Sequence, residues 1–252
     1  MSYDAGLYAQ LHRGTSGDIA FYLDAVRAAP QILELGCGFG RILVALAGAG
    51  HHVTGLDIST DMLALAEQAQ ACVPPTQASR IALVHGDMRD FQLDKRFERV
   101  IIPYNGLYCM LSEAAVVDCL RCAGEHLTTN GKVVFDAYAI DDFHAQTNSR
   151  DFNRSDDDDE PIESIQWQGT LYDVYESCRW NKASQLLHVS YRHEPRGGGE
   201  VKQTSIKHRY ILTSQLADLC HQAGLTRVQL CEDFIGTPLT AHAEHITCIA
   251  HK

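Results

Sequence analysis

The sequence lacks any long hydrophobic run. None of its apolar stretches approaches the ~20 residues that a membrane-spanning helix needs. Its 252 residues are 45% hydrophobic and 21% charged, which is an ordinary globular composition. The first segment, MSYDAGLYAQLHRGTSGD, has no apolar core of the kind found in a secretory signal. We therefore expect a cytoplasmic protein made of one domain with an insertion.

The sequence also lacks the paired cysteine motifs of a structural zinc site. Its nine cysteines are scattered. The single C-x-x-C pair, Cys119 and Cys122, has no second pair to complete four ligands. His242 and His245 have helical spacing, but no third ligand stands near them in the sequence. We therefore expect no metal, and packing thiols in a reducing compartment.

Positive charge is in deficit. The chain has 21 Lys and Arg against 32 Asp and Glu, which gives a formal net charge of −11. Such a balance disfavours a general affinity for nucleic acid or for anionic membranes. We expect a small-molecule partner, no nucleic acid and no membrane, and we leave formation of a homodimer open.

Strand and helix patterns alternate over the first part of the chain, from QILEL (31–35) to GKVVFDAY (131–138). This alternation predicts an α/β fold with a doubly wound parallel sheet. Three long strand patterns then follow, separated by NKAS and RGGG, and predict a three-stranded antiparallel insertion before the last helix. The expected division is a core of residues 1–140 and 213–252, and a β-rich insertion of residues 141–212 that caps the substrate.

The segment ILELGCGFGR (32–41) places three glycines at alternate positions after a buried strand. Such a loop lets a ligand approach the backbone at the start of a helix. Arg41 stands where a dinucleotide fingerprint needs its third glycine, and no Gly-Lys-Ser/Thr follows to make a phosphate loop. Glu34 precedes the first glycine, where a carboxylate suits a cationic ligand better than a pyrophosphate.

Two further acids stand at the ends of the next strands. Asp57 follows the glycines by about twenty residues, where an acid can accept both ribose hydroxyls, a feature shared with proteins that bind NAD. Asp87 lies in HGDMRDF, where it can take an adenine amino group while Met88 lies against the ring. These acids predict a nucleoside ligand without identifying it.

The segment ILELGCGFGRILVALAGAGHHVTGLDISTDMLALAEQA, followed by GDMRDF and IIPYNGLYCML, resembles the class I S-adenosylmethionine (AdoMet)-dependent methyltransferases. The layout is similar to that of bacterial small-molecule enzymes such as the sugar-amine N-methyltransferases. The resemblance is close over residues 20–140. It implies a Rossmann-like, doubly wound, seven-stranded sheet, AdoMet as cofactor, and methyl transfer to an N or O atom of a small acceptor.

The resemblance also implies cofactor roles for the positions that match. The assignments are Gly36, Cys37 and Gly38 for the methionine end, Asp57 and Ile58 for the ribose, Met62 for the adenine or ribose edge, Asp87 and Met88 for the adenine, Tyr104 and Asn105 near the sulfonium, with Tyr8 and Glu34 also contacting the cofactor.

The acceptor pocket is expected where the strand ends meet the insertion. The residues expected to line it are Tyr3, Tyr8, Tyr108, Tyr172, Trp180, His208 and Arg209. A general base is needed only if the acceptor arrives protonated. His208 is the predicted base, because a histidine with a pKa of about 6.5 accepts a proton near neutral pH. Tyr108 competes for this role, and side-chain alternation predicts that Arg209 faces away from His208.

Three alternatives remain open at this point. A nucleic-acid (RNA) methyltransferase is suggested by the basic stretch of residues 179–209, although the IIPYN segment has a single proline and no Pro-Cys occurs. A nicotinamide-dependent oxidoreductase is disfavoured by Arg41 and Glu34. An AdoMet-binding regulator without activity would have the same core sequence.

Overall fold

The computed structural model describes residues 4–146 and 160–252, and these form two compact units. We call residues 14–141 and 211–252 the core unit, and residues 4–13, 142–146 and 160–210 the insertion unit. The sequence-based division assigns residues 4–13 to the core, whereas in the structure they group with the insertion.

The regular elements are numbered here in chain order. The helices are α1 (Ala5–Leu11), α2 (Asp18–Ala25), α3 (Arg41–Gly48), α4 (Thr60–Ala71), α5 (Pro75–Ala78), α6 (Glu113–Glu125), α7 (Asp141–Ala145) and α8 (Thr213–Gln222). The strands are β1 (Gln31–Leu35), β2 (His52–Asp57), β3 (Ile81–His85), β4 (Phe97–Ile102), β5 (Leu127–Tyr138), β6 (Glu163–Trp167), β7 (Thr170–Asn181), β8 (Leu186–Pro195), β9 (Lys202–Arg209), β10 (Thr226–Cys231) and β11 (His245–His251). Within the two described ranges, no helix is long and apolar enough to cross a bilayer.

The core unit contains a seven-stranded sheet in the order β10-β11-β5-β4-β1-β2-β3. The five neighbouring strands β5, β4, β1, β2 and β3 are parallel to one another. Strand β11 is antiparallel to both of its neighbours, β5 and β10. This topology confirms the predicted Rossmann-like, doubly wound sheet. The chain reverses its direction of travel at β1, between β2 and β4, and ligands of such sheets bind beyond the carboxyl ends of the strands at this point.

The insertion unit contains a four-stranded antiparallel sheet in the order β6-β7-β8-β9, so the prediction of three strands is wrong. The additional strand, β6, pairs with β7 from Glu163 opposite Val174 to Trp167 opposite Thr170. The turn between them is formed by Gln168 and Gly169, both with positive φ. A two-residue hairpin turn of this kind usually carries Asn-Gly or Asp-Gly, so Gln-Gly hides the hairpin within an acidic stretch.

Close packing between β2 and the glycine loop depends on Gly55. A Cβ atom added at Gly55 would lie 2.6 Å from Leu43 Cδ1 of α3 and 2.9 Å from Cys37 Sγ. Both neighbours are buried and belong to the same hydrophobic cluster. The absence of a side chain at this position therefore lets α3 and the loop after β1 lie directly against β2.

We predict that Gly55→Ala lowers the free energy of unfolding by about 1–3 kcal/mol, because the added methyl group overpacks this contact. Urea denaturation of the variant and the wild type measures the change. Gly197→Ala is the control, since a Cβ there meets nothing within 4 Å, and its stability should match the wild type. Equal stability of all three proteins would contradict this account of the packing.

Candidate functional site

The backbone N–H groups of the glycine loop are already engaged within the protein. The amides of Gly36 and Cys37 both donate to the carbonyl of Leu56, at 2.8 and 3.1 Å. The amide of Gly38 donates to Asp57 Oδ2 at 2.8 Å. A phosphate-binding loop presents its N–H groups to the ligand, whereas these three point towards β2.

The outer face of the same loop is open and depends on glycine. Gly36 and Gly38 have φ values of +70° and +54°, in the left-handed region where a side chain is strained. A Cβ atom added at either residue would meet nothing within 4 Å. A ligand can therefore lie directly against the backbone at this point.

Glu34 fills the position beside the first turn of α3. Its side chain is 2% exposed and accepts a hydrogen bond from the backbone N–H of Leu43. Burial raises the pKa of Glu34 well above its ordinary value, while the nearby Arg41 opposes that shift. The helix N-terminus that would bind a pyrophosphate is thus occupied by the protein's own carboxyl group.

The second carboxyl oxygen of Glu34, Oε2, is buried without a hydrogen bond among the described residues. Buried acceptors are nearly always paired. An ammonium or sulfonium group is the kind of ligand that this orphaned carboxyl oxygen suits.

Asp57 links the glycine loop to the start of α4. Its Oδ2 accepts from Gly38 N and its Oδ1 accepts from Ser59 N, each at 2.8 Å. Ser59 in turn caps α4 by accepting from Met62 N at 3.3 Å. Burial raises the pKa of Asp57, and the backbone donors oppose the shift. Each carboxylate oxygen retains a lone pair for a hydroxyl donor.

The other residues predicted to contact the ribose or the adenine differ in their exposure. Ile58 is 64% exposed, Met88 is half-buried, and Met62 is buried in α4. Asp87 is held by Arg89, whose Nε lies 3.0 Å from both carboxylate oxygens. That hydrogen bonding lowers the pKa of Asp87. The partner Arg89 was not identified in the sequence, although it lies two residues away.

Tyr104 and Asn105 form a turn directly after β4 with φ values of 51° and 62°. Asp136 of β5 anchors this turn, since its Oδ1 accepts from Tyr104 N at 2.7 Å. Asn105 Oδ1 accepts from Tyr138 N at 2.8 Å. Asp136 was not among the predicted site residues, although an acid within the apolar run VVFDAY was a signal in the sequence.

Arg41 pairs with Asp18 at the start of α2. Two guanidinium nitrogens of Arg41 reach the Asp18 carboxylate at 2.9 and 2.5 Å, and Asp18 is buried. A Cβ atom added at Gly14 would lie 2.3 Å from Arg41 Cζ. Arg41 therefore replaces the dinucleotide glycine with an ion pair that ties α3 to the chain before β1.

Tyr108 is fully buried. Its hydroxyl donates to the carbonyls of Tyr138 and Ile211, at 2.9 and 3.2 Å. Burial raises the pKa of Tyr108 above its ordinary value. This geometry favours a structural anchor over the catalytic role considered from the sequence.

The insertion unit brings three of the predicted acceptor-side residues to one face of its sheet. Trp180 and His208 both lie opposite Leu187 of β8, one from each side, and Tyr172 shares this face by alternation along β7. Arg209 lies opposite Leu186, so it is on the other face as predicted, and it is buried there. The rings of Tyr8 and His12 pack against each other in the same unit, with centroids 4.2 Å apart and planes tilted by 34°. Tyr3 lies outside the described residues.

His208 differs from the sequence-based expectation in its acidity. Burial lowers the pKa of His208 to about 4, not the value of about 6.5 assumed for an exposed histidine. His12, also in the insertion unit, has its pKa lowered to about 4 by burial and by the proximity of His208 and His193. His208 is therefore neutral near pH 7, and only a weak base.

Comparison with known proteins identifies the central part of the chain. Residues 32–131 match the family model described as a methyltransferase domain. The matched stretch runs from β1 into β5 and thus contains Glu34, Asp57 and the turn after β4.

The relatives of this chain include enzymes whose names specify small-molecule substrates. A dTDP-3-amino-3,6-dideoxy-alpha-D-glucopyranose N,N-dimethyltransferase from Streptomyces fradiae is 32% identical over 142 residues, covering 53% of this chain and 52% of that protein. The putative methyltransferase YqeM of Bacillus subtilis is 31% identical over 110 residues, covering 43% and 42%. The chain thus spans about half the length of the curated relatives it matches.

A solved structure extends the similarity to nearly the whole chain. The CcbJ methyltransferase from Streptomyces caelestis superposes with a TM-score of 0.76, at 24% identity, over 94% of this chain and 96% of that one. At this identity the likeness shows a shared fold, and it extends beyond residues 32–131.

We predict different effects for two substitutions of Glu34 in the core unit. Because its folded pKa is raised, ionised Glu34 reduces stability at neutral pH, and this cost disappears as the pH falls. Glu34→Gln retains an acceptor for Leu43 N without a charge, so its free energy of unfolding should equal or exceed the wild-type value. Glu34→Ala leaves that amide unpaired and should lose about 1–3 kcal/mol. Urea denaturation tests both variants, and equal destabilisation would refute the role given to the carboxyl group.

Proposed function

We propose that this chain is an AdoMet-dependent methyltransferase that transfers a methyl group to an N or O atom of a small molecule. The observation that carries the proposal is the state of the α3 N-terminus, where Glu34 takes the place of a phosphate and the loop amides are bonded internally. A cationic nucleoside fits this chemistry, and a pyrophosphate does not. The nicotinamide dinucleotide alternative is disfavoured for the same reason.

The core unit supplies residues that fit each part of AdoMet. The open face of Gly36 and Gly38, together with Glu34, suits the methionine end. Asp57 suits the ribose hydroxyls, since both of its oxygens are oriented by backbone donors. Exposed Ile58 and half-buried Met88 can pack on the adenine ring. Cys37 would contribute backbone only, because its side chain lies in the core.

AdoMet supplies a methyl group that is already activated as a sulfonium substituent. The protein's task is then to bind the acceptor in line with that methyl group and to exclude water. Orientation of this kind is worth several kcal/mol, up to ~7–11 in favourable cases. The turn at Tyr104 and Asn105, fixed by backbone and side-chain hydrogen bonds, provides a rigid surface on which such alignment can be built.

For the acceptor, we propose a nucleotide-linked amino sugar as the first class to test. The support is the Streptomyces fradiae relative, whose name specifies an amino-sugar nucleotide substrate. Tyr172, Trp180 and His208 are proposed to bind the acceptor, because they share one face of the insertion sheet. Arg209, which lies on the opposite face of that sheet, is not part of the proposed acceptor surface.

The direct test is product formation. The protein is incubated with methyl-labelled AdoMet and either a dTDP-linked 3-amino sugar or a metabolite extract, and products are analysed by mass spectrometry. A labelled, methylated amine supports the full proposal. A labelled product of another class keeps the methyltransferase and rejects the amino-sugar acceptor. Binding of AdoMet without transfer to any small molecule would favour a regulator instead.

We predict that Asp57→Ala weakens binding of AdoMet and of its demethylated product S-adenosylhomocysteine to the same extent. Both contain the ribose, and each lost charge-assisted hydrogen bond is worth about 1.5–3 kcal/mol at most. Isothermal titration calorimetry measures both affinities. Asp61→Ala, which removes an exposed acid in the first turn of α4, is the matched control and should bind normally. Unchanged affinity in Asp57→Ala would remove Asp57 from the site.

We predict that His208 does not give the reaction a pH limb near neutrality. With a pKa of about 4, it stays neutral between about pH 6 and pH 9. The profiles of kcat/KM for the wild type and His208→Gln should therefore have the same shape there, and turnover should fall less than the 10²–10⁴-fold typical of a lost general base. A limb near 6.5 that vanishes in the variant would restore His208 as the base. His221→Gln, at an exposed position of α8, is the control.

A further inference from the structure

Asp136 is a buried carboxyl group whose hydrogen bonds do not require its charge. It lies near the end of β5 and is 1% exposed. Its Oδ1 accepts from Tyr22 OH at 2.6 Å and from Tyr104 N at 2.7 Å. Both bonds end on the same oxygen, so the carbonyl oxygen of an asparagine could accept them equally well.

The second carboxyl oxygen of Asp136, Oδ2, differs from the first because it is buried without a hydrogen-bond partner over residues 4–146 and 160–252. Burial raises the pKa of Asp136 to about 6, while the bonds from Tyr22 and Tyr104 oppose the shift. Because this pKa exceeds the ordinary 3.8, the ionised group reduces folding stability at neutral pH. A group kept at a cost in stability is a candidate for function.

The surroundings of Asp136 do not neutralise its charge. Asp18 of α2 acts on it as a like charge, and Arg41 of α3 acts as an opposite one, but Arg41 is already paired with Asp18. On β11, Thr247 lies directly opposite Asp136, and the nearby His245 has its pKa lowered by burial, so it adds no positive charge at neutral pH. The negative charge of the Asp136 carboxylate is therefore not balanced by a positive charge nearby in the described part of the chain.

Asp136 places its uncompensated negative charge next to the turn that follows β4. Tyr104, whose amide Asp136 binds, is the residue that the family resemblance assigns to the neighbourhood of the sulfonium. Glu34 lies on β1, with β4 between it and β5 in the sheet. Two buried acids, each with one oxygen that has no hydrogen-bond partner among the described residues, thus lie near the carboxyl ends of strands in the core sheet.

We propose that Asp136 is a charge-positioning residue that makes the site favour the positively charged sulfonium of AdoMet over the neutral sulfur of S-adenosylhomocysteine. This inference rests on the proposed function. A fixed negative charge in a buried, weakly screened position acts on a ligand cation without direct contact. It would help the protein to bind the cofactor and to release the product after transfer.

Binding measurements test the charge separately from the structure. Affinities for AdoMet and S-adenosylhomocysteine are measured by calorimetry for the wild type, Asp136→Asn and Tyr22→Phe. Asp136→Asn removes the charge and keeps the acceptor. Tyr22→Phe removes one hydrogen bond and raises the pKa of Asp136, so all titrations are made at about pH 8.5, where the carboxylate stays ionised. Asp24→Asn is the matched control, because it neutralises an exposed acid of the same helix as Tyr22. Thermal denaturation of each variant reports folding.

The expected result is specific to the sulfonium. Asp136→Asn should bind AdoMet about tenfold more weakly and S-adenosylhomocysteine within about twofold of the wild type, with a melting temperature at or above the wild-type value. Tyr22→Phe and Asp24→Asn should keep the wild-type ratio of the two affinities. Parallel loss of both ligands in Asp136→Asn, or loss of neither, would overturn the inference. Failure of the wild type to bind AdoMet would instead overturn the proposed function.

Discussion

The hydrogen bond from the Leu43 amide to Glu34 is the interaction on which the rest of the site depends. A glycine loop leading into a helix is an anion site by default, because the first N–H groups of the helix have no partner within it. Here a side chain of the preceding strand takes that place. The loop amides then turn inwards to Leu56 and Asp57, and the open outer face of the loop is bare glycine backbone.

This arrangement concentrates negative charge where the parallel strands end. Asp18, Glu34, Asp57 and Asp136 are all buried in the core unit. Buried carboxylates cost stability unless they are paired. Asp18 has its ion pair with Arg41 and Asp57 has two backbone donors, whereas Glu34 and Asp136 each keep an unpartnered oxygen. The imbalance is understandable if the missing partner is a cationic ligand.

Much of the core could be predicted from sequence because its signals are local. Apolar strands ending in glycine or an acid, and Arg41 in place of a glycine, are each readable within a few residues. The doubly wound arrangement of seven strands, by contrast, is what the family resemblance implies, and the structure has it. The missed features depend on tertiary contacts. Asp136 becomes informative only when Tyr104 and Tyr22 meet it. His208 is an ordinary histidine in sequence, and burial alone gives it a pKa of about 4. Strand β6 was missed because its hairpin turn carries Gln168 in place of the usual asparagine.

The central claim is that the loop after β1 accepts a cationic nucleoside and rejects a pyrophosphate. The most direct measurement is a calorimetric titration of the full chain with AdoMet, followed by the same titration with NADH and a competition between them. The account predicts one saturable site for AdoMet, no heat of binding for NADH, and no displacement of AdoMet by excess NADH. Saturable binding of NADH that AdoMet displaces would mean that Glu34 does not close the phosphate position, and would contradict the account.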